Sequence, residues 1–149
     1  MKKNIQLYIF IISILGISNS GHGQFSISYQ HSGFSRVGIG YNFSQKIWTE
    51  LRIYDHSYYG NITTELALLY NVSTKESHVI YLGFGGLAGD SFGLAIPIGL
   101  QFRPLENFRR LSLQIELEPV FVFRGGVALL SSGGIRYAFG KEQATSTSK

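Results

Sequence analysis

Imidazole and hydroxyl groups are immediate neighbours at two places in this chain, and at the second a carboxylate precedes them. His31 precedes Ser32, and Asp55 precedes a second pair, His56-Ser57. Nucleophilic hydrolysis needs an imidazole within hydrogen-bond reach of the hydroxyl and a carboxylate to steer it. Immediate neighbours on a strand point to opposite faces, so neither pair could present both groups to one substrate from an extended segment. Polar residues of turns account for both pairs. No metal-ligand spacing links His22, His31, His56 and His78, and Gly83-Phe84-Gly85-Gly86 closes an apolar run instead of opening a helix, as a phosphate cradle must. The expectation is therefore a non-enzyme with no catalytic residue, cofactor or metal.

The charged residues form a more regular pattern. Arg36, Glu50, Arg52, Glu65, Arg103, Glu116, Glu118 and Arg136 each occupy the polar phase of an alternating segment, four arginines against four glutamates. Gln101, Gln114, Asn42, Trp48, Tyr54 and Tyr81 share that phase. Balanced charges enclosed together most simply pair with one another, because a stranded buried charge is costly. A proton or ion path would need an excess of one sign or a wider lumen.

The segments that must position these residues are strands. The clearest is 111–123, where Leu111, Leu113, Ile115, Leu117, Pro119, Phe121 and Phe123 alternate with Ser112, Gln114, Glu116, Glu118, Val120 and Val122. A period of two gives a strand with two unlike faces. Its apolar face is long enough for a tilted crossing of a hydrocarbon layer, which takes about 9–11 residues. The same alternation recurs over 25–30, 36–43, 47–54, 63–71, 79–85, 92–103 and 129–139. In 79–85 the phase is ambiguous: Ile80, Leu82 and Phe84 form the apolar set, yet Val79 and Tyr81 would also suit it. The stretch 24–139 holds eight strands of about ten residues with connections of about five. An even count is the rule for bacterial single-chain outer-membrane barrels. The fold expected is all-β: an eight-stranded antiparallel up-and-down transmembrane β-barrel following a cleaved signal peptide.

Composition agrees. Eighteen glycines accompany nine tyrosines, eleven phenylalanines and one tryptophan, an enrichment that suits β-structure with tight turns. The aromatics fall at two levels. Phe25, Phe43, Tyr70, Phe102, Tyr137 and Phe139 mark one edge, and Phe34, Tyr54, Tyr58, Tyr59, Phe84, Phe92 and Phe123 the other. Two aromatic girdles around an aliphatic band describe a lipid-facing wall. A soluble barrel or sandwich with that band as its core is the competing reading, and Pro97 and Pro119 inside strands suit neither.

Residues 1–23 read as a signal peptide: Lys2 and Lys3, an apolar run from Ile5 to Ile17, then Ser18, Ser20, Gly21 and Gly23. Cleavage after Gly23 or after Ser20 fits, and an uncleaved anchor helix is disfavoured by the shortness of the run. The full chain carries +4, and losing two lysines and no acid leaves +2. No clustered basic face suggests nucleic acid. Absence of cysteine excludes a disulfide framework and a lipoprotein attachment site. Residues 140–149 are a polar C-terminal tail.

The last alternating stretch, Gly133-Gly134-Ile135-Arg136-Tyr137-Ala138-Phe139, resembles the aromatic-ended terminal strand of small eight-stranded outer-membrane barrels of the OmpA/OmpW-like kind. The resemblance spans 24–139 as a pattern. It implies residence in a Gram-negative outer membrane, contact with its lipid, and help from the barrel-assembly machinery during insertion. That family usually stops at the aromatic; here the tail follows. Outer-membrane lipid A deacylases carry His and Ser two apart on one strand face, followed by Asn, and neither pair here has that spacing or that Asn. The function expected is a structural or surface-interaction role with a filled, salt-bridged lumen and an unassigned surface or periplasmic protein partner. A lipid A-modifying enzyme and a carrier of a small hydrophobic ligand are the alternatives.

Overall fold

The computed structural model describes residues 24–56, 61–89, 92–105 and 107–139. Residues 1–23, expected to be a signal peptide, the tail 140–149, Ser57, Tyr58, Tyr59 and the side chain of His56 lie outside the described residues. Nine strands follow in chain order: β1 (Gln24–His31), β2 (Ser35–Asn42), β3 (Ile47–His56), β4 (Asn61–Thr74), β5 (His78–Ala88), β6 (Gly93–Ala95), β7 (Ile98–Phe102), β8 (Leu111–Val122) and β9 (Gly126–Ala138). Consecutive strands pair antiparallel, except that β6 and β7 each pair with β5 and β8 instead of with one another, and β1 pairs with β9, so the sheet closes on itself.

Strands β6 and β7 are two halves of one stave. Pro97 has no N–H and cannot donate to a ladder, so the strand breaks there. The register survives the break, since Ala95 and Ile98 face Gly85 and Leu82 of β5 and Val120 and Leu117 of β8. Two bonds bridge the gap: Ile96 N–H donates to the Pro119 carbonyl at 3.0 Å, and Gly83 N–H to the Pro97 carbonyl at 2.8 Å. The ring therefore has eight staves. A second irregularity is a bulge at Val72, where β4 pairs Asn71 with Tyr81 but Ser73 with Ile80. The alternation predicted a last strand from Leu129; β9 starts three residues earlier, after a turn in which Gly126 takes φ +92°, a conformation open to glycine.

The stagger of the ring follows from the ladders. In one direction Tyr29 connects through Val37, Ile53 and Thr64 to Ala88. In the other it connects through Ile135, Leu113 and Phe102 to His78. The routes meet on β5 at positions 88 and 78, ten residues apart. With strands about 4.8 Å apart and a rise of about 3.3 Å per residue, that stagger tilts the staves by about 40°. Both ends of the chain segment, Gln24 and Phe139, and the connections after β2, β4 and β7 lie at one end of the barrel. The connections after β1, β3, β5 and β8 lie at the other.

The polarity of the wall is inverted relative to a soluble domain. Ile39, Leu66 and Ile115 point outward and are 57%, 59% and 56% exposed, whereas Glu50 and Glu65 point inward and are 0% exposed. A soluble barrel or sandwich would bury the aliphatic band. In β5 the ambiguity resolves: Val79 and Tyr81 are buried inside, and Ile80, Leu82 and Phe84 are outside. One aromatic girdle is packed at the end holding Gln24 and Phe139, with Phe25–Tyr41, Tyr41–Phe43 and Tyr137–Phe139 ring centroids each 5.0 Å apart. The second girdle loses two of its expected members among the described residues. Tyr54 is buried inside, and Phe84 faces Leu68 within the aliphatic band.

Candidate functional site: the charged lumen

An eight-stave ring is wide enough only for its own side chains, and inward glycines decide which large ones fit. A Cβ on Gly99 would strike the Tyr81 ring, and one on Gly38 would meet a Glu50 oxygen at 2.7 Å. Glycine at these positions lets a long side chain from the neighbouring stave lie flat across the lumen.

The centre of the site is Arg52 on β3, 1% exposed and in contact with four carboxylates. Its Nε donates to Glu50 Oε2 at 2.8 Å on the same strand. Its Nη1 reaches Glu65 Oε1 on β4 at 3.3 Å and Glu118 Oε2 on β8 at 3.0 Å, and its Nη2 reaches Glu116 Oε2 at 2.8 Å. Arg36 on β2 approaches the same β8 pair: Nη1 donates to Glu118 Oε2 at 2.6 Å, and Nη2 donates to Glu116 Oε1. The remaining donors of Arg36 are taken by Gln30 Oε1 at 2.7 Å, Tyr54 Oη at 2.9 Å and Ser132 Oγ at 2.9 Å. Two tyrosines complete the shell. Tyr81 Oη donates to Glu116 Oε2 at 2.6 Å, while Tyr54 Oη lies against both Glu65 and Glu118. Ser28 Oγ donates to Glu50 Oε1 at 2.6 Å. Seven of the eight staves thus send a side chain into one network, the β6/β7 stave, with Gly99 and Pro97, being the one that makes room.

Of the eight charged residues read from the sequence, six meet here: Arg36, Arg52, Glu50, Glu65, Glu116 and Glu118. Arg136 is buried but one layer nearer the chain ends. It donates to Ser26 Oγ at 2.9 Å and Asn42 Oδ1 at 3.0 Å, and its guanidinium lies 3.7 Å from the centroid of Trp48. Arg136 and Glu116 share the inward face of adjacent strands but do not meet, because Ser112 is opposite Arg136 and Ser132 is opposite Glu116. Arg103 falls beyond the last residue of β7, half-buried near Arg109, and makes no ion pair among the described residues. The bonded cluster therefore groups two guanidiniums with four carboxylates, not four with four. Ser26, Ser28 and Gln30 carry no charge, so only their inward parity in the sequence points to the site, and Ser132 joins them from the position opposite Glu116.

The His31-Ser32 pair is not assembled, and the His56-Ser57 pair lies outside the described side chains. His31 Nδ1 lies 3.0 Å from Ser35 Oγ, not against Ser32, whose Oγ accepts from Phe34 N–H at 3.4 Å. His78 Nδ1 lies 3.0 Å from the adjacent Ser77 Oγ.

A closed antiparallel ring with an apolar exterior and an ionic interior defines the small transmembrane β-barrel fold. The N-terminal β-barrel domain of Pseudomonas aeruginosa OprF has this architecture, with a TM-score of 0.60 at 14% identity over 80% of this chain and 98% of that one. Neisserial surface protein A gives a TM-score of 0.55 at 13% identity, over 78% of this chain and 94% of that one. The Yersinia pestis outer membrane protein Ail gives 0.51 at 14% identity, over 80% and 100%. No family model matches the sequence, and no curated protein sequence matches it. The likeness is one of fold: this chain folds as the small eight-stranded outer-membrane barrels do.

Proposed function

We propose that the chain is a non-enzymatic outer-membrane barrel whose lumen is closed by its salt-bridged network and whose role is structural or one of surface interaction. The observation that carries this reading is the inverted wall, apolar outside and ionic inside. Aliphatic side chains half exposed to water on every stave would make a soluble monomer aggregate, whereas lipid covers them at no cost. Residues 1–23 would direct export and be removed, the assembly machinery would insert the barrel, and both chain ends would face the periplasm. The six-residue network supports a plug: each carboxylate is held by at least one guanidinium, which an open ion path would not require.

Fractionation tests this directly. The mature chain should pellet with outer membranes, resist carbonate and salt extraction, and migrate faster on gels when unheated than after boiling. Recovery as a detergent-free periplasmic monomer would contradict it. The enzyme alternative has its own test. Lipid A from cells expressing the wild-type chain, a His31→Ala/Ser32→Ala variant or a His56→Ala/Ser57→Ala variant should show one and the same acylation pattern. Loss of an acyl chain that depends on either pair would replace the structural reading with a catalytic one.

A further inference from the structure

The barrel wall is incomplete at the end away from Gln24 and Phe139. The ladder between β1 and β9 stops at His31–Gly133, but β9 continues to Gly126. Residues 126–132 pair with β8 alone, from Glu116–Ser132 to Val122–Gly126. Across the gap, β3 is paired by β2 as far as Asp55–Ser35. β3 itself ends at His56, one residue further, so beyond the short β1–β2 hairpin the open side of β9 faces no described strand.

That open side is a sheet edge whose outward-facing backbone donors and acceptors meet no partner among the described residues. Natural edges are guarded by charge, proline or a bulge. The sequence Gly126-Val127-Ala128-Leu129-Leu130-Ser131-Ser132 has none of these, and Val127 and Leu129 are 70% and 69% exposed. Ala128, on the opposite face, is exposed as well. The edge is thus apolar on both faces toward its tip and carries a hydroxyl on each face at its base.

We infer that this edge of β9 receives an extended, uncharged peptide strand from another protein, added antiparallel. Other occupants fit less well. Residues 1–23 and 140–149 join the barrel at its opposite end. A second copy in the same membrane, which presumes the outer-membrane reading above, would be related by an axis along the membrane normal. Staves tilted about 40° each way would then cross at about 80° instead of lying antiparallel. An acyl chain covers apolar side chains but offers no hydrogen bonds to the edge. A peptide strand supplies both, with small apolar residues opposite 127–130 and hydroxyls opposite Ser131 and Ser132.

The test uses the folded protein in lipid nanodiscs and an end-blocked heptapeptide of two threonines followed by alternating valine and alanine. Amide exchange is followed residue by residue. The open-side amides of 126–132 should exchange rapidly in the free protein and slow by about tenfold or more with peptide present. The same peptide N-methylated at alternate amides should give no protection, and Leu129→Lys should weaken binding by about tenfold or more. Equal protection by the methylated peptide, protection outside 126–132, or none at all would overturn the inference. None of these outcomes alters fractionation with membranes, so the proposed function stands or falls separately.

Discussion

Replacing Arg52 with methionine should destabilise the barrel more than any other single change in its lumen. Methionine matches the volume of the stem but removes the one group that touches Glu50, Glu65, Glu116 and Glu118 together. Removing one partner of a buried ion pair costs about 3–5 kcal/mol, because the remaining charge is left without compensation. Here Arg36 would face the β8 pair alone, and among the described residues Glu50 would keep only Ser28 as its bonded partner. The expected loss is at least at the top of that range, enough to prevent refolding into phospholipid vesicles at neutral pH. Arg52→Lys should fall between, since an ammonium keeps the charge but cannot fork toward four carboxylates. Urea midpoints read from the folded gel band check the order. A methionine variant as stable as the wild type would show that the network contributes little.

The second large effect is at Glu116, and its size depends on the surplus of carboxylates. Glu116 is gripped by both guanidiniums and by Tyr81, so Glu116→Gln should cost toward the low end of about 3–5 kcal/mol. Glu65 touches Arg52 at 3.3 Å and shares Tyr54 with Glu118. With four acids on two arginines, Glu65→Gln removes repulsion along with attraction and should cost about 1 kcal/mol or less. The same urea series decides it. Equal losses at the two positions would mean that the carboxylates are individually compensated, by Arg136 or by solvent, and that the surplus is not felt.

Much of this was legible in the sequence because period-two alternation is local. Each strand announces its own two faces, so the inward set Arg36, Glu50, Arg52, Glu65, Glu116, Glu118 and Arg136 could be read without knowing any pairing. What alternation cannot give is height. Arg136 and Glu116 share an inward face on adjacent strands, yet the β8–β9 register sets them two rungs of the inward face apart. Arg103 continues the parity of its strand but lies past its last rung. Tyr54 fitted both the lumen and a girdle until the stagger of the ring placed its hydroxyl among the glutamates. Pro97 signalled trouble in a strand interior; that the register would pass unshifted across the break depended on Gly83 and Pro119 on the neighbouring staves. The overhang of β9 had no local signal, since it follows from the shortness of β1 and β2 relative to their neighbours.

The inward serines show the same division. Ser26 and Ser28 look like ordinary polar positions of a short strand, and their use emerges only when closure brings β1 against β9 and β2 against β3. Ser28 then meets Glu50 and Ser26 meets Arg136. Small hydroxyls and glycines on β1, β2 and the β6/β7 stave are the complement of the long charged chains on β3 and β8. That division of volume allows an interior this narrow to hold two arginines and four glutamates in one layer.

A lumen filled by the network leaves no room for an ion to pass. Planar-bilayer recording on the purified, refolded wild-type barrel tests it most directly. The expected result is no stable single-channel current for the wild type, and none for Glu116→Gln under conditions where that variant remains folded. A steady cation-selective current in the wild type, altered by Glu116→Gln, would contradict it and show that the carboxylates line a path.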